Sequence, residues 1–154
     1  MDQFAIYTYD TVNLKISYEQ NIIIGISFTA DEGGVKTPLT DDVFNQFVAY
    51  FNGERTVFTF SYEMRGTEFQ KKVWQALCEI PYGQTRSYKQ IAIAIGNEKA
   101  SRAVGMANNK NPLAIVVPCH RVIGANGKLV GYAGGVSLKE RLLQLETERA
   151  TRNI

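Results

Sequence analysis

Apolar and polar side chains partly alternate along three N-terminal stretches, residues 4–9, 12–18 and 22–28. Asp10 and Glu19-Gln20-Asn21 separate them. A period of two puts one row of side chains on a buried face, so these stretches predict an antiparallel meander. Asp31 to Gly34 reads as a loop. The period then changes to that of a helix. Thr40 is a candidate N-cap for a helix from Asp41 to Phe51, with Val43, Phe44, Phe47, Val48 and Phe51 on one stripe and Asn52-Gly53 at its end. Val57 to Phe60 is predicted as a further strand.

From Thr67 the pattern is helical. Thr67-Glu68-Phe69-Gln70 is a capping box opening a helix to about Glu79, with Phe69, Val73, Trp74 and Leu77 turned inward and Cys78 packed on the same helix. Pro81-Tyr82-Gly83 is a turn. Ser87-Tyr88-Lys89-Gln90 is a second capping box, starting a short helix to Ile95. Gly96 breaks it, and Asn97 can cap another helix from Glu98 to Asn108. Two short helices about a glycine-containing turn predict a helix-turn-helix. Leu113 to Val117 is a short β-branched run, read as a buried strand stopped by Pro118. Beyond glycines 131, 134 and 135, Ser137-Leu138-Lys139-Glu140 is a third capping box. It opens a last helix with Leu138, Leu142 and Leu145 inside.

Composition narrows the classes. No apolar run approaches the roughly 20 residues that span a bilayer, and the N-terminus lacks a basic-then-apolar signal pattern. The two cysteines give no disulfide framework and suit a reducing, cytoplasmic setting. Cys78, Cys119 and a single histidine cannot supply a closed zinc site without carboxylates. Net charge is +2 but uneven. Residues 1–65 hold four basic against nine acidic side chains, a net of −5, and residues 66–154 hold thirteen against six, a net of +7. Any polyanion is therefore expected on the second half.

The candidate chemistry sits directly after Pro118. Cys119 adjoins His120, the only histidine in the chain. A thiol beside a group that titrates near neutrality fits thiolate chemistry, although the dipeptide alone also fits a buried structural cysteine beside a surface histidine. In an extended segment neighbouring side chains point to opposite faces. A relay through water is then more natural than direct contact.

Pro118-Cys119-His120-Arg121-Val122, with Asn111-Pro112 before it, resembles the signature of the O6-alkylguanine-DNA alkyltransferases. Further matches run in register over about residues 66–154. They are Phe69-Gln70 with Val73-Trp74, Ile80 to Gly83, Ser87-Tyr88, Ala103-Val104-Gly105, Tyr132 to Gly135, and Lys139-Glu140 with Leu142-Leu143. Residues 1–65 match only in general character. The resemblance implies an N-terminal α/β, RNase H-like bracing domain (1–65) with a small antiparallel sheet. It also implies a mainly α-helical domain (66–154) that binds DNA through its helix-turn-helix and carries the alkyl acceptor.

The resemblance also implies roles. Cys119 would accept the alkyl group as thiolate, His120 would withdraw its proton through a water, Glu146 would orient His120, and Asn111 would tie the turn together. Arg102 would enter the base stack, with Ser101, Ala103 and Gly105 beside it on a helix too poor in forked side chains to read bases. Binding would then be sequence-neutral, through the minor groove. Tyr88 would lie by a phosphate, help rotate the base out and assist purine departure. The carbonyls of Cys119 and Val122, with Tyr132, Ala133 (Ser in many relatives) and Gly134, would form the guanine pocket. The implied partner is double-stranded DNA bearing O6-alkylguanine, and O4-alkylthymine with it. The protein would act once, as a monomer without cofactor, in the cytoplasm and on the nucleoid. A lesion-binding relative without the cysteine, a helix-turn-helix regulator and a cysteine hydrolase are the rival readings. Cys119, the poor reading face and Cys-His adjacency speak against them in turn.

Overall fold

The computed structural model describes residues 3–129, 131–132 and 134–152. The chain divides into two compact units, Met1–Arg65 and Gly66–Ile154.

In the first unit β1 (Gln3–Tyr9), β2 (Val12–Glu19) and β3 (Ile22–Phe28) form the expected antiparallel meander in the order β1-β2-β3. Ala5 pairs with Ile16, and Tyr7 with Leu14. The register shifts between Ser17 and Tyr18. That shift brings Ile23 and Ile26, three apart, onto the same buried side. Helix α1 (Pro38–Phe51) turns Val43, Phe47 and Tyr50 inward. It starts earlier than predicted. Thr37 is the N-cap, its hydroxyl accepting from the Thr40 N–H at 3.2 Å, while the Thr40 hydroxyl accepts from the Thr37 N–H at 2.8 Å. Thr40 is thus the third helical residue, and Pro38 occupies the first turn, where a missing N–H costs nothing.

The strand predicted over residues 57–60 does not form. Gln46, buried on α1, takes the Thr59 N–H at 2.9 Å. Phe58 and Phe60 pack on Phe47 with ring centroids 4.8 and 6.4 Å away. A side-chain amide and tilted aromatic contacts replace the ladder.

The second unit holds α2 (Glu68–Cys78), β4 (Arg86–Ser87), α3 (Tyr88–Ala94), α4 (Ser101–Asn109), β5 (Val122–Ile123) and α5 (Val136–Arg152). The capping boxes at Thr67 and Ser87 form as read. Val73, Trp74 and Leu77 of α2 meet Val104 and Ala107 of α4 in the core, and the Trp74 indole N–H donates to the Ala107 carbonyl at 2.9 Å. Short β4 pairs in parallel with β5, Arg86 opposite Val122.

Three expectations fail here. Asn97 does not cap α4, because it is used to end α3. The Asn97 N–H bonds the Ala92 carbonyl and the Gly96 N–H that of Ile93, with Gly96 at φ +82°. That is a Schellman ending, and α4 begins only at Ser101, without a side-chain cap. Cys78 is exposed on the last turn of α2 rather than packed. Ser137 lies inside the first turn of α5, and the Gly135 carbonyl takes the Lys139 N–H.

Candidate active site

The run from Leu113 to Val117 is buried as expected except at half-buried Val116, but it is not a strand. The Val116 N–H bonds the Ala114 carbonyl at 2.8 Å, closing a γ-turn on Ile115 at φ +72°. A β-branched residue rarely adopts that conformation, so backbone strain is stored beside the reactive residues. Pro118, at φ −82° and ψ 63°, sits in an inverse γ-turn closed by the Cys119 N–H on the Val117 carbonyl. Asn111 braces both turns. Its amide donates to the Val117 carbonyl at 2.7 Å, and its oxygen accepts the Leu113 N–H at 3.0 Å.

Cys119–Arg121 form one turn of 3-10 helix, and all three side chains are buried. The segment is therefore not extended, and the opposite-faces premise does not apply. His120 (0% exposed) instead turns to α5, where its Nε2 lies 2.8 Å from Oε2 of Glu146 (1% exposed). Arg121 grips the same carboxylate, Nε donating to Oε1 at 2.7 Å and Nη2 to Oε2 at 2.9 Å. Its Nη1 donates to the Ile80 carbonyl at 2.8 Å, and its guanidinium lies over the Tyr82 ring.

Burial works against the Glu146 carboxylate, but the bonds from His120 and Arg121 outweigh it and hold its pKa at about 2. An ionised Glu146 only accepts, so Nε2 carries the imidazole proton and Nδ1 presents the lone pair. Nδ1 is buried and has no hydrogen-bond partner among the described residues. Burial, with the charges of Arg121 and Lys139, pushes His120 below its usual pKa despite Glu146, so the ring is neutral near pH 7.

Burial pushes the Cys119 thiol up, against a hydrogen bond from Asn111 and the charge of Lys139. The resting group is thus a thiol that needs a base, not a preformed thiolate. Lys139 is fully buried and donates to the Val122 carbonyl at 2.6 Å. The Cys119 carbonyl takes the Val122 N–H. Each carbonyl named for the guanine pocket therefore already accepts one hydrogen bond. Tyr88, the first residue of α3, is half-buried, and a Cβ on Gly105 would lie 3.8 Å from its ring. Burial first, then the Cys119 charge, raises the pKa of both Tyr88 and Tyr132 and keeps them protonated. Arg102 and Ala103 are exposed on α4, Ser101, Gly105 and Gly134 half-buried, and Val122 buried. Ala133 lies outside the described residues.

Sequence reasoning gave no role to Arg121 or Lys139. One signal existed for the second. Lys139, Leu142 and Glu146 are spaced i, i+3, i+7, so a helix that turns Glu146 inward must turn Lys139 inward too.

Residues 68–148, more than half of the chain, match the family model for the 6-O-methylguanine DNA methyltransferase, DNA binding domain. The methylated-DNA–protein-cysteine methyltransferase of Methanosarcina barkeri is 60% identical over 101 residues, 66% of this chain and 64% of that protein. The chain thus spans a little under two thirds of that relative's length. The crystal structure of Mycobacterium tuberculosis O6-methylguanine methyltransferase is 41% identical with a TM-score of 0.84, over 97% of this chain and 94% of that one. The Mycobacterium tuberculosis OGT in complex with DNA is 45% identical with a TM-score of 0.83, over 89% and 88%. The three-stranded antiparallel sheet of this chain, its helical second unit and the matched domain agree with these relatives, and the chain belongs to the O6-methylguanine DNA methyltransferase family.

Proposed function

We propose that this protein repairs DNA by direct reversal, moving the alkyl group of O6-alkylguanine, and of O4-alkylthymine, to Cys119 in a single turnover. The observation that carries the reading is a buried thiol in one turn with a histidine whose Nε2 is fixed by Glu146 and whose Nδ1 has no hydrogen-bond partner among the described residues. The names of the relatives support the same reaction. Solvent mediates between Cys119 and His120 in this scheme. The Sγ proton passes through a water to Nδ1, and Glu146 stabilises the imidazolium that results. Lys139 offsets the new thiolate charge. The sulfur forms a bond to the alkyl carbon as the bond from that carbon to O6 breaks. The electron pair stays on the guanine, which regains one proton and leaves intact. Tyr88, kept protonated by burial, donates to the departing purine. The product is a thioether without a carbonyl for water to attack, so the cysteine is spent.

The reacting atom is inaccessible inside a duplex, so the base must be rotated out. Exposed Arg102, in the first turn of α4, is the residue for the vacated space, with the small side chains of Ser101, Ala103 and Gly105 letting the helix approach the minor groove. Gly134 and Tyr132 line the pocket. The −5 unit is the bracing part and the +7 unit meets the DNA. The protein works as a monomer in the cytoplasm and on the nucleoid. No helix among the described residues is long and apolar enough to cross a membrane.

Intact-protein mass after incubation with excess O6-methylguanine duplex tests this. The expected gain is one methyl group per molecule, mapped to Cys119 and absent from Cys78 and from a Cys119→Ser variant that still binds the duplex. Sustained turnover, or removal of methyl groups by Cys119→Ser, counts against it.

A further inference from the structure

Arg121 is the one residue of the buried cluster to which the scheme above gives no part. It is engaged at every nitrogen. Nε and Nη2 take both oxygens of Glu146, at 2.7 and 2.9 Å, and Nη1 takes the Ile80 carbonyl at 2.8 Å. The guanidinium is rigid and always charged, and it matches a carboxylate with two parallel bonds. We propose that Arg121 is a positioning residue for the proton step: by satisfying the charge of Glu146, it leaves His120 neutral and able to take the Cys119 proton.

The physical reason lies in the count of charges. A buried carboxylate needs a counter-ion, because an uncompensated charge has given up its hydration for nothing in return. Among the described residues, His120 and Arg121 lie within hydrogen-bond reach of Glu146 and can serve. With Arg121 in place the dyad can rest as carboxylate and neutral imidazole. Remove its charge, and the carboxylate must be neutralised by a proton, held on Nε2–Nδ1 as imidazolium or on the carboxyl itself. In either form the base is already occupied. The other charged or titratable groups facing His120 and Glu146 keep this direction. Lys139, also on α5, is a cation that disfavours imidazolium. Arg149 on α5 is half-buried, with a charge that acts on Tyr82 together with those of Glu146 and Arg121. Tyr82 and Tyr132 are phenols held protonated by burial first. Cys119 is neutral until its proton leaves.

This inference rests on the transfer reading for its meaning, but its test does not. The chain has one histidine, so the imidazole resonances in an NMR titration belong to His120 without assignment. In Arg121→Gln the His120 midpoint is expected to rise by about one pH unit or more, a tenfold change in protonation. The acid limb of the single-turnover rate should move with it, and the rate should recover above the new midpoint. Fluorescence of Trp74 reports whether the variant is folded. If Arg121→Gln does not fold, Arg121→Lys carries the test. Its single ammonium keeps the charge but cannot span both oxygens and Ile80, and a rise of about half a unit is expected. An unchanged or lower midpoint in a folded variant, or a rate loss equal at all pH values, would overturn the proposal. If the unsubstituted protein gains no methyl group while the midpoint shifts as described, the transferase reading fails and the positioning role stands.

Discussion

A cysteine is useful as an alkyl acceptor only as thiolate, and burial makes that form scarce at Cys119. In the proposed transfer the base must therefore contribute more than at an exposed thiol, where a small ionised fraction exists unaided. His120→Ala should lower the single-turnover rate near pH 7 by roughly 10²-fold, the lower end for a lost general base. The sign with pH is fixed by the direction of the thiol shift. Raising the pH through and above neutrality increases the unaided thiolate fraction, so the variant should gain rate with pH while the unsubstituted protein changes little. Rates measured between about pH 6.5 and 9 check this, and a flat profile for the variant counts against it. At this scale the sequence was informative where two reactive residues adjoin, as at Cys119-His120. Where charge is buried it offered little beyond the helical spacing of Lys139 from Glu146. Glu146 sits in a run of charges that reads as a solvated helix end, and only the family resemblance singled it out. Nothing in hydropathy marks Arg121 or Lys139, since a charged residue enters a core only when partners are waiting, and those partners lie 25 and 17 positions away in sequence.

Local signals made elements legible at two of three capping boxes, the one read at Ser137 lying inside its helix instead. The capping boxes at Thr67 and Ser87 need only four residues each and formed as read. Signals that served two elements were misassigned. Asn97 looked like a start because Gly96 precedes it, yet the same pair closes α3. The β-branched run at 113–117 carried the correct burial and the wrong path. Asn111 and two γ-turns satisfy its backbone, which no periodicity reveals. The consequence for function lies on α4. Because that helix starts at Ser101, Arg102 stands in its first turn, exposed beside Ala103. Arg102→Ala should slow methyl transfer from duplex DNA by about tenfold or more, yet barely change reaction with free O6-methylguanine, because only the duplex requires extrusion. Parallel single-turnover assays on the two substrates decide it. Equal losses would assign Arg102 to the pocket instead.

At the scale of the molecule, the break in charge and in motif density near residue 66 coincides with the boundary between the two compact units. Their stabilities need not respond alike to pH, because the buried ionisable cluster belongs to the second unit alone. Glu146 is held at about 2, against an ordinary 4.5. A carboxylate with a lowered folded pKa contributes stability that is present above about 4.5 and lost as pH falls towards 2, on the order of 3 kcal/mol in all. His120 acts at a higher pH. Its folded pKa lies below 6.5, so the unfolded chain binds the proton more readily, and stability begins to fall as pH drops through 6.5. The second unit should therefore be most stable above about pH 7 and weaken in two stages on acidification. Trp74, the single tryptophan, is buried in that unit and follows it specifically. Urea midpoints from its fluorescence at about pH 8, 5.5 and 3.5 should descend in that order. Glu146→Gln should be less stable than the unsubstituted protein near neutrality and converge with it as pH falls below about 4, since the lost term is then absent from both. Parallel curves for the two proteins down to pH 3 would show that the carboxylate contributes nothing to holding the second unit together.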